Sequence, residues 1–446
     1  MLSLAWTITS GAQTMKTYEK TALEEISANR FLAGGNATDY DRLPRKALTP
    51  SPKGYEPYYL SHYGRHGSRW LLNDRDYQAP ITTLKDAKKY GKLTPLGERT
   101  LAKLEEIQKT TKGRLGDLTD IGERQHHDIA HRMVEHFPEI FKEKGLLVDA
   151  RSTTSVRSIL SMMAECEELC LANPTLSIHN EANEANMSYM NAPRDGQQRA
   201  NETKARAIQN EYGMKQRQPE RLMETLFNDQ KWVYLNLIPS QLMGSLYDIA
   251  TNQQSHDGDT ELMQLFTDEE LHGLWCGNNL YWYLNYANAP QTGNVMFWNH
   301  AALLRNIIET ADTVKRKQAT LRFGHDTVVL PLATLMDLDG TGVSVDNLDE
   351  LDQHFRSYMI IPTACNIQLV FYRPKKGKQG DILVKALLNE NEVSMPVHTD
   401  LYPYYKWDDV KAFYLEKLKK QPKSSFPAMP AGTSSQYPQF QFPVRN

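Results

Sequence analysis

Short apolar runs alternate with longer segments of helical period along most of this chain. Pro57 to His62, with Tyr58-Tyr59-Leu60 at its centre, reads as a buried strand, and Leu146-Leu147-Val148 and Leu321-Arg322-Phe323 read as two more. Ile129, Met133, Phe137 and Ile140 recur at helical spacing behind Thr119-Asp120-Ile121-Gly122, with Pro138 near the end of that helix. Ala87 to Thr110 is strongly charged and helical, and Ser155 to Leu171 is helical. Leu303, Leu304, Ile307, Ile308, Ala311 and Val314 form one apolar helical face. Ile367 to Tyr372 and Ile382 to Leu388 read as a β-hairpin joined through Lys375-Lys376-Gly377-Lys378.

Strands alternating with helices predict an α/β fold, a mainly parallel sheet with helices on both faces. Residues 181–294 break this rhythm. They are rich in Asn, Gln, Met, Tyr and Trp and lack strand alternation, which predicts an inserted, mainly helical cap domain. Trp275, Tyr281, Trp282, Tyr283 and Tyr286 read as a small core of that insertion. The core domain is then discontinuous, 51–180 and 295–446. Residues 13–50 read as a polar, irregular N-terminal extension ending in a Pro-rich linker, and the Pro-rich tail after Ser424 is expected to be poorly ordered.

The 446 residues are 40% hydrophobic and 24% charged, with a formal net charge of −3. That balance carries no basic footprint for nucleic acid. No run approaches the roughly eighteen apolar residues of a membrane span. Any affinity for anions must come from a local cluster of cations. Four cysteines are too few for a disulfide framework; Cys166 and Cys170 lie one helical turn apart, and either pairs with Cys276 or Cys365 or with none. Met1 to Trp6 with Ser10-Gly11-Ala12 reads either as the remnant of a signal peptide, residues 1–12, or as a plain leader.

Candidate chemistry sits at the exits of three strands. Arg65-His66-Gly67-Ser68-Arg69 sets two forked guanidiniums around an imidazole, which suits a phosphate pocket with a histidine nucleophile. The guanidiniums should keep His66 neutral and able to attack, and Gly67 lets backbone pass close to an anion. Arg151 to Arg157 follows the second strand; Arg157 is the candidate for a third phosphate ligand and Arg151 is read as structural. Gly324-His325-Asp326 follows the third, His325 as a donor to phosphoryl oxygens and Asp326 as the acid for a leaving group. Asn299-His300 lies near enough in pattern to support such a site. Arg194, Lys204, Lys215, Arg217 and Arg221 read as solvated charge of the insertion.

These three segments resemble the histidine phosphatase superfamily, in its branch of acid phosphatases and phytases. Within it they are most similar to the multiple inositol polyphosphate phosphatases. The likeness extends to Gly116 through Glu123, to Arg132 through Pro138 and to Leu387-Leu388-Asn389-Glu390. It implies that His66 becomes a phosphohistidine, that Arg65, Arg69, Arg157 and His325 hold the phosphate, and that Asp326 donates the proton without any metal or cofactor. It further implies a small phosphorylated partner, with phytate and other inositol phosphates leading, and the signal-peptide reading of the leader would give a periplasmic or secreted location. The inositol polyphosphate enzymes typically carry His-Ala-Glu at the donor position. This chain carries His325-Asp326-Thr327, the pattern of the wider acid phosphatases and many phytases, so broad action on small sugar or metabolite phosphates is the alternative. Asp337-Leu338-Asp339-Gly340-Thr341 also resembles the nucleophile loop of magnesium-dependent haloacid dehalogenase phosphatases, but too little chain follows it, and a turn is the expected role.

Overall fold

The strands are β1 (Tyr55–Arg65), β2 (Leu147–Ser152), β3 (Ser177–Ala182), β4 (Gln318–Gly324), β5 (Asn366–Pro374), β6 (Leu383–Leu388), β7 (Asn391–Val393) and β8 (Tyr405–Lys406). They form one sheet in the order β3-β2-β4-β1-β5-β6-β7, with β8 paired to β6. The half β3-β2-β4-β1 is parallel, and β5 through β8 are antiparallel. The computed structural model describes residues 18–256 and 261–422. The leader 1–12 and the tail after Ser424 lie outside the described residues.

Before and between the first strands come α1 (Ala22–Ala28), α2 (Asp74–Lys89), α3 (Pro95–Thr110), α4 (Asp120–His136), the single turn α5 (Pro138–Phe141) and α6 (Val156–Ala172). The insertion supplies α7 (Glu184–Met190), α8 (Gly196–Gln216), α9 (Glu220–Leu226), α10 (Gln230–Asn236), α11 (Pro239–Asn252) and α12 (Asp268–Tyr286). Then follow α13 (Ala301–Thr313), α14 (Asp326–Met336), the short α15 (Leu351–His354) and α16 (Ser357–Ile360), and α17 (Trp407–Lys419). The predicted α/β class, with a mainly parallel central sheet and a helical insertion, is the observed one.

Burial explains the layering. On one face Leu60, Ala150, Leu321 and Phe323 pack with Ile129 and Met133 of α4 and Met162 and Cys166 of α6. On the other, Tyr59, Tyr63, Ile367 and Phe371 pack with α13, α14 and α17. Covered on both sides, β1 and β4 are buried along nearly their whole length, and the polar side chains they carry inward, such as Ser61 and Arg322, are bonded to each other there. A second core joins α9, α11 and α12 to Ile26 of α1, Ile81 and Leu84 of α2 and Leu101 and Leu104 of α3. The aromatic cluster of α12 divides between them: Trp275 lies in this second core, and Trp282 and Tyr283 in the first.

Several local readings change. Ala87 to Thr110 is two helices, broken where Gly91 adopts φ +65° between Lys89 and Pro95. The edge strand β3 escapes the sequence because its residues are mostly exposed and no apolar alternation marks it. Residues 22–42 are helical rather than irregular, and Tyr40 is fully buried against Glu390 and Asn366. All four cysteines are unpaired thiols. Asp337, at φ +52°, ends α14 and accepts from the Gly342 N–H at 2.8 Å, so the Asp337–Thr341 string is a turn.

The loop after β1 is seated by a backbone-to-backbone approach. A Cβ on Gly67 would lie 2.2 Å from the Gly122 carbonyl oxygen, and one on Gly122 would lie 2.2 Å from that of Ser68. Thr119 caps α4 at this point, accepting from the Gly122 N–H at 3.1 Å while donating to the Ser68 carbonyl at 3.2 Å. Backbone cannot yield as a flexible side chain would, so Gly122→Ala is expected to cost about 3 kcal/mol, at the upper end of overpacking penalties. Gly277, inside α12 with open space at its Cβ position, gives the opposite sign: Gly277→Ala should gain about 0.5–1 kcal/mol of helix propensity. Urea midpoints of the two variants against wild type check both; equal midpoints would deny the close approach.

Candidate active site

β1 and β4 are paired in parallel so that Arg65 faces Gly324. The next residues, His66 and His325, therefore leave the sheet side by side at its carboxyl edge, where open α/β sheets bind ligands. Their rings lie 5.6 Å apart at 70°. β2 meets β4 with Ser152 opposite Phe323, which brings Thr153 to the same edge, its hydroxyl 3.3 Å from His325 Nε2. Ser158 and Ser161, on the first turns of α6, bond the Gly324 carbonyl and the Gly67 N–H. Three strand ends are thus tied together before any ligand arrives.

His66 is oriented by its own neighbour. Nδ1 sits 2.8 Å from the Gly67 carbonyl oxygen, which fixes the proton on Nδ1 and leaves Nε2 with a free lone pair. Burial pushes the ring's pKa well below the usual histidine value, and Arg157, Arg65, His325 and Arg69 push the same way. His325 is driven down to about 3 by burial and then Arg157, against the opposing pull of Asp326. Both imidazoles are neutral, as expected for His66 from the sequence.

Arg65 is buried and caged by carbonyls. Nη1 donates to Ile361 O at 3.1 Å, to Pro362 O at 2.8 Å and to the carbonyl of Asn36, while Nη2 meets Asp326 Oδ2 at 2.9 Å. Its Nε, the Nε of Arg157 and the Nδ1 of His325 are buried with no partner among the described residues. Arg69 acts electrostatically on His66, His325 and Asp326 and donates to the Trp70 carbonyl at 2.8 Å. The six predicted positions, Arg65, His66, Arg69, Arg157, His325 and Asp326, thus come together at one sheet edge.

Asp326 opens α14. Burial alone would raise its carboxyl, but Arg65, the Asn36 amide, Arg69 and His325 together bring it below the usual aspartate range. Oδ1 accepts from the Thr327 N–H at 2.8 Å. Behind it the His300 ring places Nε2 3.1 Å from the Thr327 carbonyl, so His300 reaches the first turn of the helix, while Asn299 donates instead to the Ala192 carbonyl at 2.6 Å. Asn36 is the contact that sequence reasoning missed, since no motif marks the extension that carries it.

Other cations are committed elsewhere. Arg151 bonds Asp149 and the Tyr189 hydroxyl, Arg194 bonds Glu202 and the Asn285 carbonyl, and Arg221 is gripped by Glu270. Arg132 forks onto Glu390 from α4, and the Tyr40 hydroxyl bonds the same carboxylate, which explains the Arg132 and Leu387–Glu390 segments as one structural clamp. Away from the site, donor atoms of His272, Cys276 and Asp352 lie within 4.8 Å of one another; the His272–Asp352 hydrogen bond of 3.0 Å accounts for that proximity.

The profile of the histidine phosphatase superfamily (branch 2) matches residues 64–389. The chain belongs to that superfamily. Among solved structures it is similar to the multiple inositol polyphosphate phosphatase of Bifidobacterium longum in complex with inositol hexasulfate. The identity is 16%, the TM-score 0.68, and the alignment covers 86% of this chain and 97% of that one. It is similar to the phytase from D. castellii at 16% identity and TM-score 0.67, over 87% and 85% of the two chains. The Hafnia alvei phytase with tartrate follows at 12% identity and TM-score 0.53, over 82% and 98%. No curated protein matches the sequence.

Beneath the loop, His62 of β1, His126 of α4 and Glu165 of α6 form a fully buried triad, with His126 Nδ1 2.8 Å and His62 Nε2 3.8 Å from Glu165 Oε1. Burial lowers His62 to about 4 and His126 to about 3, and raises Glu165 to about 7. A carboxyl raised in the folded state lends stability below pH 4.5 that is lost as pH rises toward 7. Glu165→Gln cannot charge. Its stability relative to wild type should therefore climb between those values, by on the order of 3 kcal/mol, and stay level above. Thermal midpoints across that range check the sign; a difference independent of pH would mean Glu165 titrates normally.

Proposed function

We propose that this histidine phosphatase hydrolyses phosphomonoesters in two steps through a phosphohistidine on His66, with phytate and other inositol phosphates as the leading substrates. The observation that carries the reading is the free Nε2 of His66 set between His325 and three guanidiniums, with a carboxyl at the adjacent helix start. Arg65, Arg69, Arg157 and His325 hold the non-bridging oxygens, whose charge grows in the transition state. The N-terminus of α14 adds its dipole.

In the first step Nε2 forms a bond to phosphorus as the ester oxygen leaves, taking the proton of Asp326. In the second, water gives a proton back to Asp326 and its oxygen displaces Nε2, so phosphate departs and the enzyme is restored. The substrate class is supported by the fold shared with enzymes whose structures are titled inositol polyphosphate phosphatase and phytase. Asp326 in place of glutamate favours the second reading, broad action on small sugar or metabolite phosphates. No helix of the described residues is long and apolar enough to cross a membrane. A periplasmic or secreted location is proposed from the leader pattern, and cell fractionation tests it.

Phosphate release from phytate and from an aryl phosphate at pH 5, with EDTA present, tests the chemistry. Wild type should turn over, and His66→Ala should fall by about 10³-fold or more. Loss of wild-type activity in EDTA would instead support a metal-dependent reaction. The ratio of the two substrates separates the phytase reading from the broad one.

Because Asp326 must begin protonated and is held below its usual range, activity should fall as pH rises from the acid side. Asp326→Asn should lose about 10²–10³-fold on alkyl phosphates and flatten that fall. A wild-type profile level from acid to alkaline pH would remove Asp326 from the role.

A further inference from the structure

Asn36 lies outside residues 64–389, the segment that carries the family likeness, yet it touches both members of the ion pair at the heart of the site. Its Nδ2 donates to Asp326 Oδ2 at 3.0 Å, and its carbonyl accepts from Arg65 Nη1. Arg65 Nη2 meets that same Oδ2 at 2.9 Å. The other carboxyl oxygen belongs to the Thr327 N–H. The Asp326 carboxyl is therefore fixed by backbone on one side and by Arg65 and Asn36 on the other.

The segment that delivers Asn36 is pinned along its length. Gly35 takes φ +56°, a conformation that suits glycine, and a Cβ there would collide with the Asn278 side chain. The Tyr247 hydroxyl donates to the Ala33 carbonyl at 2.5 Å, and the Asp39 N–H donates to Gln254 at 2.8 Å. The Thr363 N–H donates to the Thr38 carbonyl at 2.9 Å. Gln125 of α4 bonds Asp39, Ser68 and Thr363 together, linking this segment to the loop that carries His66.

We infer that Asn36 is a positioning residue for the general-acid step, holding the Asp326 carboxyl toward the leaving oxygen in both of its protonation states. The inference rests on the reading of Asp326 as proton donor. A guanidinium can only donate hydrogen bonds, so Arg65 grips the carboxylate but has nothing to accept from the acid. Arg65 is also drawn toward an arriving phosphate. A carboxamide carries both a donor and an acceptor, and by rotating it donates to the carboxylate or accepts from the carboxylic O–H. The charged and titratable groups facing Asp326 are Arg65 from β1, Arg69 from the following loop, His325 beside it and the Cys365 thiol. The two guanidiniums can only donate, and among the described residues neither His325 nor Cys365 hydrogen-bonds this carboxyl, so Asn36 is the partner able to exchange roles at Oδ2.

The test compares two leaving groups. Nitrophenolate departs without a proton, whereas an alkoxide, as from glycerol phosphate, needs one. Asn36→Leu should lose about 10-fold in kcat on the alkyl phosphate with KM little changed, and lose far less on nitrophenyl phosphate. Removing a donor to the carboxylate should also move the alkaline limb of kcat to higher pH, and Asn36→Asp, which adds a like charge, should move it further. The Asp variant keeps the shape of the side chain and carries the test if the Leu variant does not fold. Equal losses on both substrates with an unmoved limb would overturn the inference, as would wild-type kinetics in both variants. If His66→Ala keeps wild-type turnover the phosphohistidine reading fails, if Asp326→Asn does the donor reading fails, and this inference falls with either. If those two are inactive while the Asn36 variants behave as wild type, the inference fails alone.

Discussion

The parallel pairing of β1 with β4, in the register that sets Arg65 against Gly324, is the constraint on which the rest of the site depends. Successive side chains of a strand face opposite ways, so a slip of one residue would send every side chain of β1 to the wrong layer. Both strands are covered on both faces, which makes that slip very costly. Once the register holds, His66 and His325 have no choice but to emerge as neighbours. Gly324 completes the arrangement, because the Tyr63 hydroxyl, bonded to the Met190 carbonyl, occupies the space its Cβ would need. The insertion is thereby fastened to the strand that carries the imidazole.

The cluster of Arg65, Arg69 and Arg157 inside a protein of net charge −3 gathers cations against their mutual repulsion and their loss of water. Arg65 meets this with backbone carbonyls of Ile361, Pro362 and Asn36. Carbonyl dipoles satisfy the Nη1 hydrogens without cancelling the charge, and among the described residues the one counter-ion in contact is the Asp326 carboxylate on Nη2. The same cluster of cations depresses both imidazoles, and that is useful. A neutral His66 keeps the lone pair that an imidazolium would lack.

Much of this arrangement is legible in the sequence wherever burial forces a pattern. β1 and β4 are covered on both faces, β2 buries alternate residues, and each announces itself by a short apolar run, so the residues that exit them are the obvious candidates. The reading fails where stability comes from contacts that composition does not encode. β3 is an exposed edge with polar residues, held by backbone pairing to β2. The segment 22–42 has the glycines and polar residues of a linker, and is fixed instead by Gln125, Gln254 and Thr363 from distant parts of the chain. Arg132 and Glu390 look like surface charges until the fold closes them into one clamp with Tyr40. Sequence separation, not chemistry, hides these partners.

The ion pair between Arg65 and Asp326 creates a tension that the proposed chemistry has to resolve. In the free protein the pair favours carboxylate, yet a leaving alkoxide needs a carboxylic acid. A bound phosphate supplies the resolution, since its negative charge competes for Arg65 and raises the cost of a second anion alongside it. Binding of substrate and protonation of Asp326 are then linked events, each favouring the other. A neutral ligand in the same pocket would leave the pair intact and the acid unarmed. On the proposed mechanism the donor is therefore prepared by the group it acts on, and the amide of Asn36, able to run the hydrogen bond either way, keeps the carboxyl in place while the change occurs.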